Sequence, residues 1–261
     1  MELFTLGKKF AEICQKYVER VALQVYESDG NLRPLTYRQL WEEAVKVSGW
    51  LTSQNIKKQD RVAIILENSP HWAAVYFGIM LCGAVAVPLD PQMSKETIFT
   101  LLEDSEAKIV FINGKLKSVF NIICDGLSSL KRIVLIQSDA NPDHIAPGEE
   151  KYLDFSAIIN WEVKEVSFPA IELDEAASIL YTSGTTAVAK GVELTHRNFS
   201  ANFLSIQDLN LFSAEEFDEI FNGSQAYSIR KKIKEGSCHC LCTGDTFPSL
   251  IVRSFPLFTQ G

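Results

Sequence analysis

The sequence has no excess of positive charge. Its 261 residues include 25 lysine and arginine residues against 33 aspartate and glutamate residues, which gives a net charge of −8. Because attraction to nucleic acid or to an anionic membrane surface grows with clustered positive charge, this balance argues against both kinds of partner. A pocket for a phosphorylated small molecule needs only a few local cations, so such ligands stay compatible with the acidic composition.

The sequence also lacks an apolar run long enough to span a bilayer. Residues 72–87 carry no charged side chain, yet these 16 residues fall short of the roughly 20 that a transmembrane helix needs. Gly83 and Pro88 interrupt the run, which favours a buried helix followed by a buried strand. The first residues, Met1 to Phe4, lack the basic and apolar segments of a signal peptide, so we expect a cytoplasmic protein without a transmembrane segment.

Cysteines are few and mostly scattered. Cys14, Cys82 and Cys124 show no spacing pattern, which is typical of buried thiols in a reducing compartment. Residues 238–242 contain three cysteines and one histidine, but zinc sites usually separate paired cysteines by about two to four residues and need a second ligand pair. No second pair is evident, so we predict no metal site.

Apolar segments of strand length alternate with segments of helical period along most of the chain. Such alternation predicts an α/β fold with a mostly parallel sheet covered by helices on both faces. Residues 137–150, rich in turn formers, are expected to form a surface linker. The predicted strands are 21–26, 61–66, 84–87, 109–112, 132–136, 178–182 and 191–194, and the predicted helices are 3–17, 36–51, 69–83, 95–104, 116–123 and 195–207.

A hydroxyl-rich segment, residues 181–192, follows the strand-like residues Ile179 and Leu180. Its hydroxyl groups and the amides near its glycine can donate hydrogen bonds to phosphate oxygens, and its lysine supplies a positive charge. A polar turn between two strands would explain the glycine alone. The candidate nucleotide-binding residues are Thr182, Ser183, Gly184, Thr185, Thr186 and Lys190.

The spacing in this segment does not fit the commonest phosphate-binding loops. Five residues separate Gly184 from Lys190, and the lysine is followed by Gly191. A Walker loop requires glycine before the lysine and serine or threonine after it. The glycine fingerprint of dinucleotide-binding folds is also absent, so the segment represents another kind of loop.

The segment resembles the signature of the adenylate-forming superfamily, which includes the AMP-binding acyl-CoA synthetases. The matches are Tyr181 to Thr186, Lys190 to Val192, and Thr195, His196 and Asn198. Ala187 and Ala189 stand where the family usually has glycine and proline, which bears on the tightness of ATP binding. Further likeness occurs at residues 35–40, 60–64, 68–70, 77–78, 83–89 and 104–108, and covers about residues 1–216.

The resemblance implies a two-step ligase reaction in the full-length family. A carboxylate, with long-chain fatty acids preferred, attacks ATP to give acyl-AMP and pyrophosphate, and the thiol of coenzyme A then displaces AMP. ATP, magnesium, the acid and coenzyme A are the implied small-molecule ligands. The phosphate loop would hold the leaving pyrophosphate, and we predict no acid or base catalyst among its residues.

The likeness to the family ends near residue 216. Residues 217–261 lack the family's later motifs, so we expect a partial AMP-binding domain at 1–216 and an atypical, non-native or disordered tail at 217–261, as in a truncated product. Two alternatives remain open. One is a non-catalytic nucleotide- or partner-binding fragment, able to dock with a separately encoded C-terminal half, and the other is an unrelated α/β nucleotide-binding protein.

Histidines and tryptophans outside the loop receive structural interpretations. His196 follows the predicted cap Thr195, which indicates a surface or cap-packing role, and His71 is expected at the surface of a first helical turn. The four tryptophans occur in or beside apolar segments and are predicted to lie in the core or at its rim. They are Trp41, Trp50, Trp72 and Trp161.

Overall fold

Nine strands and seven α-helices are present in the computed structural model, which describes residues 2–26, 32–136, 150–162, 167–182 and 190–208. The strands are β1 (Val21–Tyr26), β2 (Leu32–Thr36), β3 (Arg61–Ile65), β4 (Val85–Pro88), β5 (Ile109–Asn113), β6 (Arg132–Ile136), β7 (Tyr152–Asp154), β8 (Ala176–Thr182) and β9 (Lys190–Thr195). The helices are α1 (Leu6–Lys16), α2 (Tyr37–Ser53), α3 (Pro70–Leu81), α4 (Lys95–Ser105), α5 (Lys117–Ile123), α6 (Phe155–Ile159) and α7 (His196–Asp208).

Seven strands form one sheet in the order β7-β6-β5-β3-β4-β8-β9. The strands from β7 to β8 in that order are mutually parallel, and β9 pairs antiparallel with β8. A separate antiparallel hairpin joins β1 to β2. The predicted α/β fold with a mostly parallel sheet is therefore confirmed.

Helices cover both faces of the sheet. Val62 and Ile64 of β3 pack into a core formed with α1, α2 and α3, called here the front core. Ala63 and Ile65 of the same strand pack into a second core formed with α4 and α5, the back core. Because successive side chains of a strand point to opposite faces, a strand buried on both sides needs a continuous apolar run.

Helix ends follow the capping patterns in the sequence. Thr36 and Gln39 form the predicted capping box of α2, in which each side chain binds the other residue's backbone N–H. The Ser69 hydroxyl accepts a hydrogen bond from the Trp72 N–H at 3.2 Å, with Pro70 in the first turn of α3. Gly83 follows this helix with a φ of 74°, a left-handed conformation that glycine adopts without strain.

The apolar run at residues 72–87 forms most of α3 and the start of β4, as predicted. All ten residues from Trp72 to Leu81 are buried, so this helix is apolar on every side because it lies inside the protein. In the part of the chain that the structure describes, no helix combines the length and the apolar character needed to cross a membrane.

Glycine allows α3 to approach α2 closely. A Cβ atom placed on Gly78 would lie 2.6 Å from Cγ1 of Val47 and 2.9 Å from the carbonyl oxygen of Ala44. Both distances are far below ordinary contact, so a larger residue at this position would push the two helices apart.

Three short elements were not predicted from the sequence. β2 contains Pro34, which removes a backbone donor and weakens the strand pattern. β7 has three residues and α6 has five, too few to show a period. The predicted linker at 137–150 lies almost wholly outside the described residues.

The predicted burial of the isolated cysteines, and the predicted place of the tryptophans in the core or at its rim, are confirmed. Trp50 and Trp72 are buried, and Trp41 and Trp161 pack at the edge of the same front core. The thiols of Cys14, Cys82 and Cys124 are buried and free. The cysteines at 238–242 lie outside the described residues.

Candidate functional site

The hydroxyl-rich segment begins at the end of β8 and ends at the start of β9. These strands form an antiparallel hairpin whose last pair before the loop is Thr182 with Lys190, and both side chains are exposed. Ser183, Gly184, Thr185 and Thr186 lie in 183–189, outside the described residues. The structure thus positions two of the six predicted site residues and places them opposite each other.

Thr182 and Lys190 lie on the front face of the sheet. The Ser178 hydroxyl, four residues earlier on β8, is 2.9 Å from the Tyr76 hydroxyl of α3, and side chains alternate along the strand. Residues directly opposite in an antiparallel pair have Cβ atoms about 5 Å apart. A hydroxyl donor and an ammonium group therefore stand side by side at the base of the loop.

The base of the loop lies at the edge of the sheet where the parallel strands end. β8 runs parallel to β4, so its carboxyl end shares an edge with those of β3 and β4. The chain leaves β3 for α3 in the front core and leaves β4 for α4 in the back core. Ligands of open α/β sheets bind outside the carboxyl ends of the strands at such a switch of direction.

Acidic side chains occur at the same edge. Glu67 follows β3 and lies 3.7 Å from the Lys115 ammonium, and Asp90 follows β4 and accepts a hydrogen bond from the Gln92 N–H at 2.8 Å. Across the residues that the structure describes, no three histidine, cysteine, aspartate or glutamate side chains form a group able to hold a metal ion.

His196 is buried, which agrees with the cap-packing half of the prediction and excludes a surface position. Its Nδ1 atom accepts a hydrogen bond from the Leu6 N–H at 3.1 Å, and the Ser200 hydroxyl accepts one from the Phe4 N–H at 3.0 Å. The surface prediction was wrong because the N-terminal segment covers the first turn of α7. The alternative of a packing role is confirmed, since His196 is 1% exposed.

Burial lowers the pKa of His196 to about 4, although the nearby Glu175 carboxylate opposes this shift. The unprotonated ring is the form that can accept the Leu6 hydrogen bond. His71, in the first turn of α3, is partly exposed as predicted, with its Nδ1 atom 3.2 Å from the Glu43 carboxylate.

One residue near the loop was missed by sequence reasoning. Asp104 of α4 accepts a hydrogen bond from the Tyr181 hydroxyl at 2.5 Å, across a separation of 77 residues. Both residues belong to segments that resemble the adenylate-forming superfamily. No local pattern could have joined them, because their contact depends on how α4 packs against the sheet.

Comparison with known proteins adds evidence independent of this geometry. A sequence model of the family described as "AMP-binding enzyme" matches residues 10–226. The crotonobetaine/carnitine–CoA ligase of Citrobacter koseri is 28% identical over 200 residues, which are 74% of this chain and 37% of that protein.

Solved structures agree in fold. The acyl-CoA synthetase of Brucella canis has a TM-score of 0.65 at 26% identity, with 76% of this chain and 35% of that chain covered. The anthranilate CoA ligase AuaEII, solved with anthranoyl-AMP, has a TM-score of 0.67 at 22% identity, with 78% and 36% covered. The chain spans little more than a third of the length of each of these three proteins.

Proposed function

Because this chain belongs to the AMP-binding enzyme family, we propose that it binds ATP and serves the activation of a carboxylic acid to acyl-AMP and then to acyl-CoA. The pairing of Thr182 with Lys190 at the carboxyl edge of the sheet carries the proposal. Ser183, Gly184, Thr185 and Thr186, which join these two residues, complete the proposed phosphate-binding loop.

The chemistry of the loop suits the leaving group of adenylation. When the carboxylate attacks the α-phosphorus, negative charge develops on the departing pyrophosphate. The Lys190 ammonium and the Thr182 hydroxyl can offset that charge, and charge-assisted hydrogen bonds are roughly twice as strong as neutral ones. These residues bind and orient phosphate, and they neither remove nor supply a proton.

The acyl substrate is proposed as a carboxylic acid, with a long-chain fatty acid as the finer proposal. The Citrobacter koseri relative is named for crotonobetaine and carnitine, and AuaEII is named for anthranilate. A test of activity should therefore offer acids of all three kinds.

Magnesium is proposed as a cofactor that binds with ATP, and coenzyme A is proposed as a co-substrate. Magnesium would supply positive charge to the triphosphate. The described residues form no metal-binding group, so we assign no magnesium ligand. Coenzyme A would act as the second substrate.

The chain is proposed to act as a partial adenylation domain at residues 1–216, followed by an atypical tail at 217–261. The alternative function is that of a non-catalytic nucleotide-binding fragment, which could dock with a separately encoded C-terminal half. The coverage of about 37% of the Citrobacter koseri protein favours keeping this alternative. A cytoplasmic location and the absence of nucleic-acid partners remain part of the proposal.

Calorimetry with the full chain tests the loop. We expect Lys190→Ala to raise the Kd for Mg·ATP about 10- to 100-fold, the range for loss of one charge-assisted bond. Lys131→Ala is the matched control, because Lys131 is also exposed beside a strand, β6. An unchanged Kd in Lys190→Ala, or no binding by the folded wild-type protein, would contradict the proposed function.

Exchange of labelled pyrophosphate into ATP separates the two functions. Exchange that depends on a carboxylic acid and is lost in Lys190→Ala indicates an active adenylating enzyme. ATP binding without exchange indicates the non-catalytic fragment.

A further inference from the structure

Tyr181, the residue before Thr182, is anchored on the back face of the sheet. Its ring is 4% exposed and its hydroxyl donates to Oδ2 of Asp104 at 2.5 Å. Burial, followed by the hydrogen bond and the charge of Asp104, raises the pKa of Tyr181. The hydroxyl therefore stays protonated and remains a donor at neutral pH.

The Tyr181 ring lies against Gly191, its partner on β9. A Cβ atom on Gly191 would lie 3.2 Å from Cε1 of Tyr181 and 3.0 Å from Cγ2 of Ile179. Such contacts are tighter than side chains normally tolerate. The glycine after Lys190 is thus explained by close approach of the ring from the neighbouring strand.

The residues that follow Asp104 are held by contacts outside the hairpin. Ser105, the next residue, ends α4, and its carbonyl oxygen accepts a hydrogen bond from Nε of Arg61 at 2.8 Å. The Arg61 guanidinium also lies 2.5 Å from the Glu106 carboxylate. Because Arg61 begins β3, the acceptor for Tyr181 is tied to a central strand of the sheet.

Among the described residues, the end of the hairpin that carries the loop has no ladder pairing with the parallel strands, whereas its other end is bonded through Ala176 to Gln59. β4 and β8 share one paired position, Ala86 with Ser178, four residues before Thr182. A slip of one residue between β8 and β9 would turn every side chain of β9 to the opposite face. Lys190 would then leave the face on which Thr182 lies.

We propose that Asp104 and Tyr181 are positioning residues for the phosphate loop: their hydrogen bond holds the Tyr181 ring over Gly191 and so fixes the register that sets Thr182 opposite Lys190. The inference rests on the proposed function of that loop. It joins two segments, residues 104–108 and 181–192, that are far apart in the sequence.

Binding of two nucleotides by the full-length variant Tyr181→Phe tests this inference. We expect the Kd for Mg·ATP to rise about 5- to 10-fold, as for loss of one buried hydrogen bond. The Kd for AMP is expected to stay within about twofold, because AMP lacks the phosphates assigned to the loop. If the hydrogen bond had a purely structural role, its loss would raise the Kd values for Mg·ATP and AMP by the same factor.

Substitutions of Asp104 provide a second test of the positioning role. Asp104→Ala removes the acceptor and is expected to match Tyr181→Phe, and the double variant should be no worse than either single one because both remove the same bond. Asp104→Asn keeps an oxygen acceptor and is expected to restore the wild-type ratio of ATP to AMP affinity. Asp104→Ala and Asp104→Asn also test the positioning role if Tyr181→Phe fails to fold.

Tyr76→Phe is the matched control. It too removes a buried tyrosine hydroxyl bound to β8, at Ser178 on the front face. We expect it to lower the melting temperature and to leave the ratio of ATP to AMP affinity unchanged. An unchanged ratio in Tyr181→Phe and Asp104→Ala, or an equal change in Tyr76→Phe, would overturn the positioning role.

Failure of the positioning role can be distinguished from failure of the proposed function. If Lys190→Ala loses ATP affinity while Tyr181→Phe and Asp104→Ala keep it, the positioning role falls and the proposed function stands. If Lys190→Ala binds Mg·ATP like the wild type, both fall together.

Discussion

His196 couples the protonation of one ring to the attachment of the N-terminal segment. The ring accepts the Leu6 N–H only while Nδ1 is unprotonated. The Thr-His-x-Asn signature thus contains a residue that packs the start of α7 against the start of α1. In the sequence, His196 is recognisable only as part of this signature. Its contact with the Leu6 N–H becomes visible only in the fold.

The pH dependence of stability should report this histidine. Its pKa is about 4 when folded against an ordinary 6.5, so between these values the unfolded chain binds the proton and the folded one does not. Stability is therefore lost progressively as the pH falls from 6.5 to about 4, by roughly 1.4 kcal/mol per pH unit. Urea unfolding from pH 7 to pH 4 measures the slope.

The variant His196→Asn isolates the contribution of the ring, because its amide oxygen can accept the Leu6 N–H and does not titrate. We expect a shallower slope than in the wild type. His71→Asn controls for the histidine-to-asparagine change itself at a partly exposed site. Equal slopes in the wild type and His196→Asn would refute the assignment.

At the scale of elements, the contact between α2 and α3 depends on Gly78. Glycine is a poor helix former, so its presence in the middle of a buried helix requires a packing reason. The short distances from its missing side chain to Val47 and Ala44 supply that reason.

Gly78→Ala should destabilise the protein even though alanine favours helix formation. Overpacking costs roughly 1–3 kcal/mol and the propensity gain is about 1 kcal/mol, so we expect a net loss measurable by urea unfolding. Val47→Ala removes Cγ1, the atom nearest to the new methyl group at 2.6 Å, although Cβ of residue 47 remains at 2.7 Å, so it relieves part of the clash. The double variant should therefore be more stable than the sum of the single losses allows, and strict additivity would count against the steric explanation.

Elements with strong local signals could be predicted, and short ones could not. α2 and α3 carry capping residues and long apolar patterns, and both begin where the sequence indicated. β7 and α6 are too short to have a period, and their existence depends on packing beside β6. The antiparallel pairing of β9 with β8 agrees with their short connection, residues 183–189, because parallel neighbours need a crossover of about a dozen residues or more.

On the scale of the whole molecule, one sheet separates two cores that each contain buried thiols. Cys14 and Cys82 lie in the front core and Cys124 lies in the back core. Burial raises the pKa of Cys14 to about 12 and that of Cys82 to about 11, and it also raises the pKa of Cys124. Thiolate, the reactive form, is therefore suppressed at all three.

Alkylation should show whether the two cores unfold together. We expect Cys14, Cys82 and Cys124 to resist iodoacetamide at pH 8 in the native protein and to react at one common urea concentration, since both cores share the strands of one sheet. Mass spectrometry of the separated peptides measures each thiol by itself. Labelling of Cys124 at clearly lower urea would show instead that the back core opens separately.

The phosphate-binding chemistry proposed for the candidate site comes from the sequence, whereas the residues that support the site become visible only in the fold. Clustered hydroxyls and Lys190 indicated phosphate binding because their side chains carry that property wherever they lie. Asp104 could not be assigned, because an aspartate near a helix end has many possible partners. Its contact with Tyr181 exists only once α4 packs on the back face.

The strand β9 forms an end of the sheet among the described residues, and it carries Lys190 and Glu193 on opposite faces. Charged side chains on such a border discourage a second polypeptide from adding there. Lys190 would then serve solubility as well as ligand binding. A variant without the Lys190 charge leaves Val192, which is 44% exposed, on a strand edge with fewer charged side chains. Such a variant will self-associate more readily in storage.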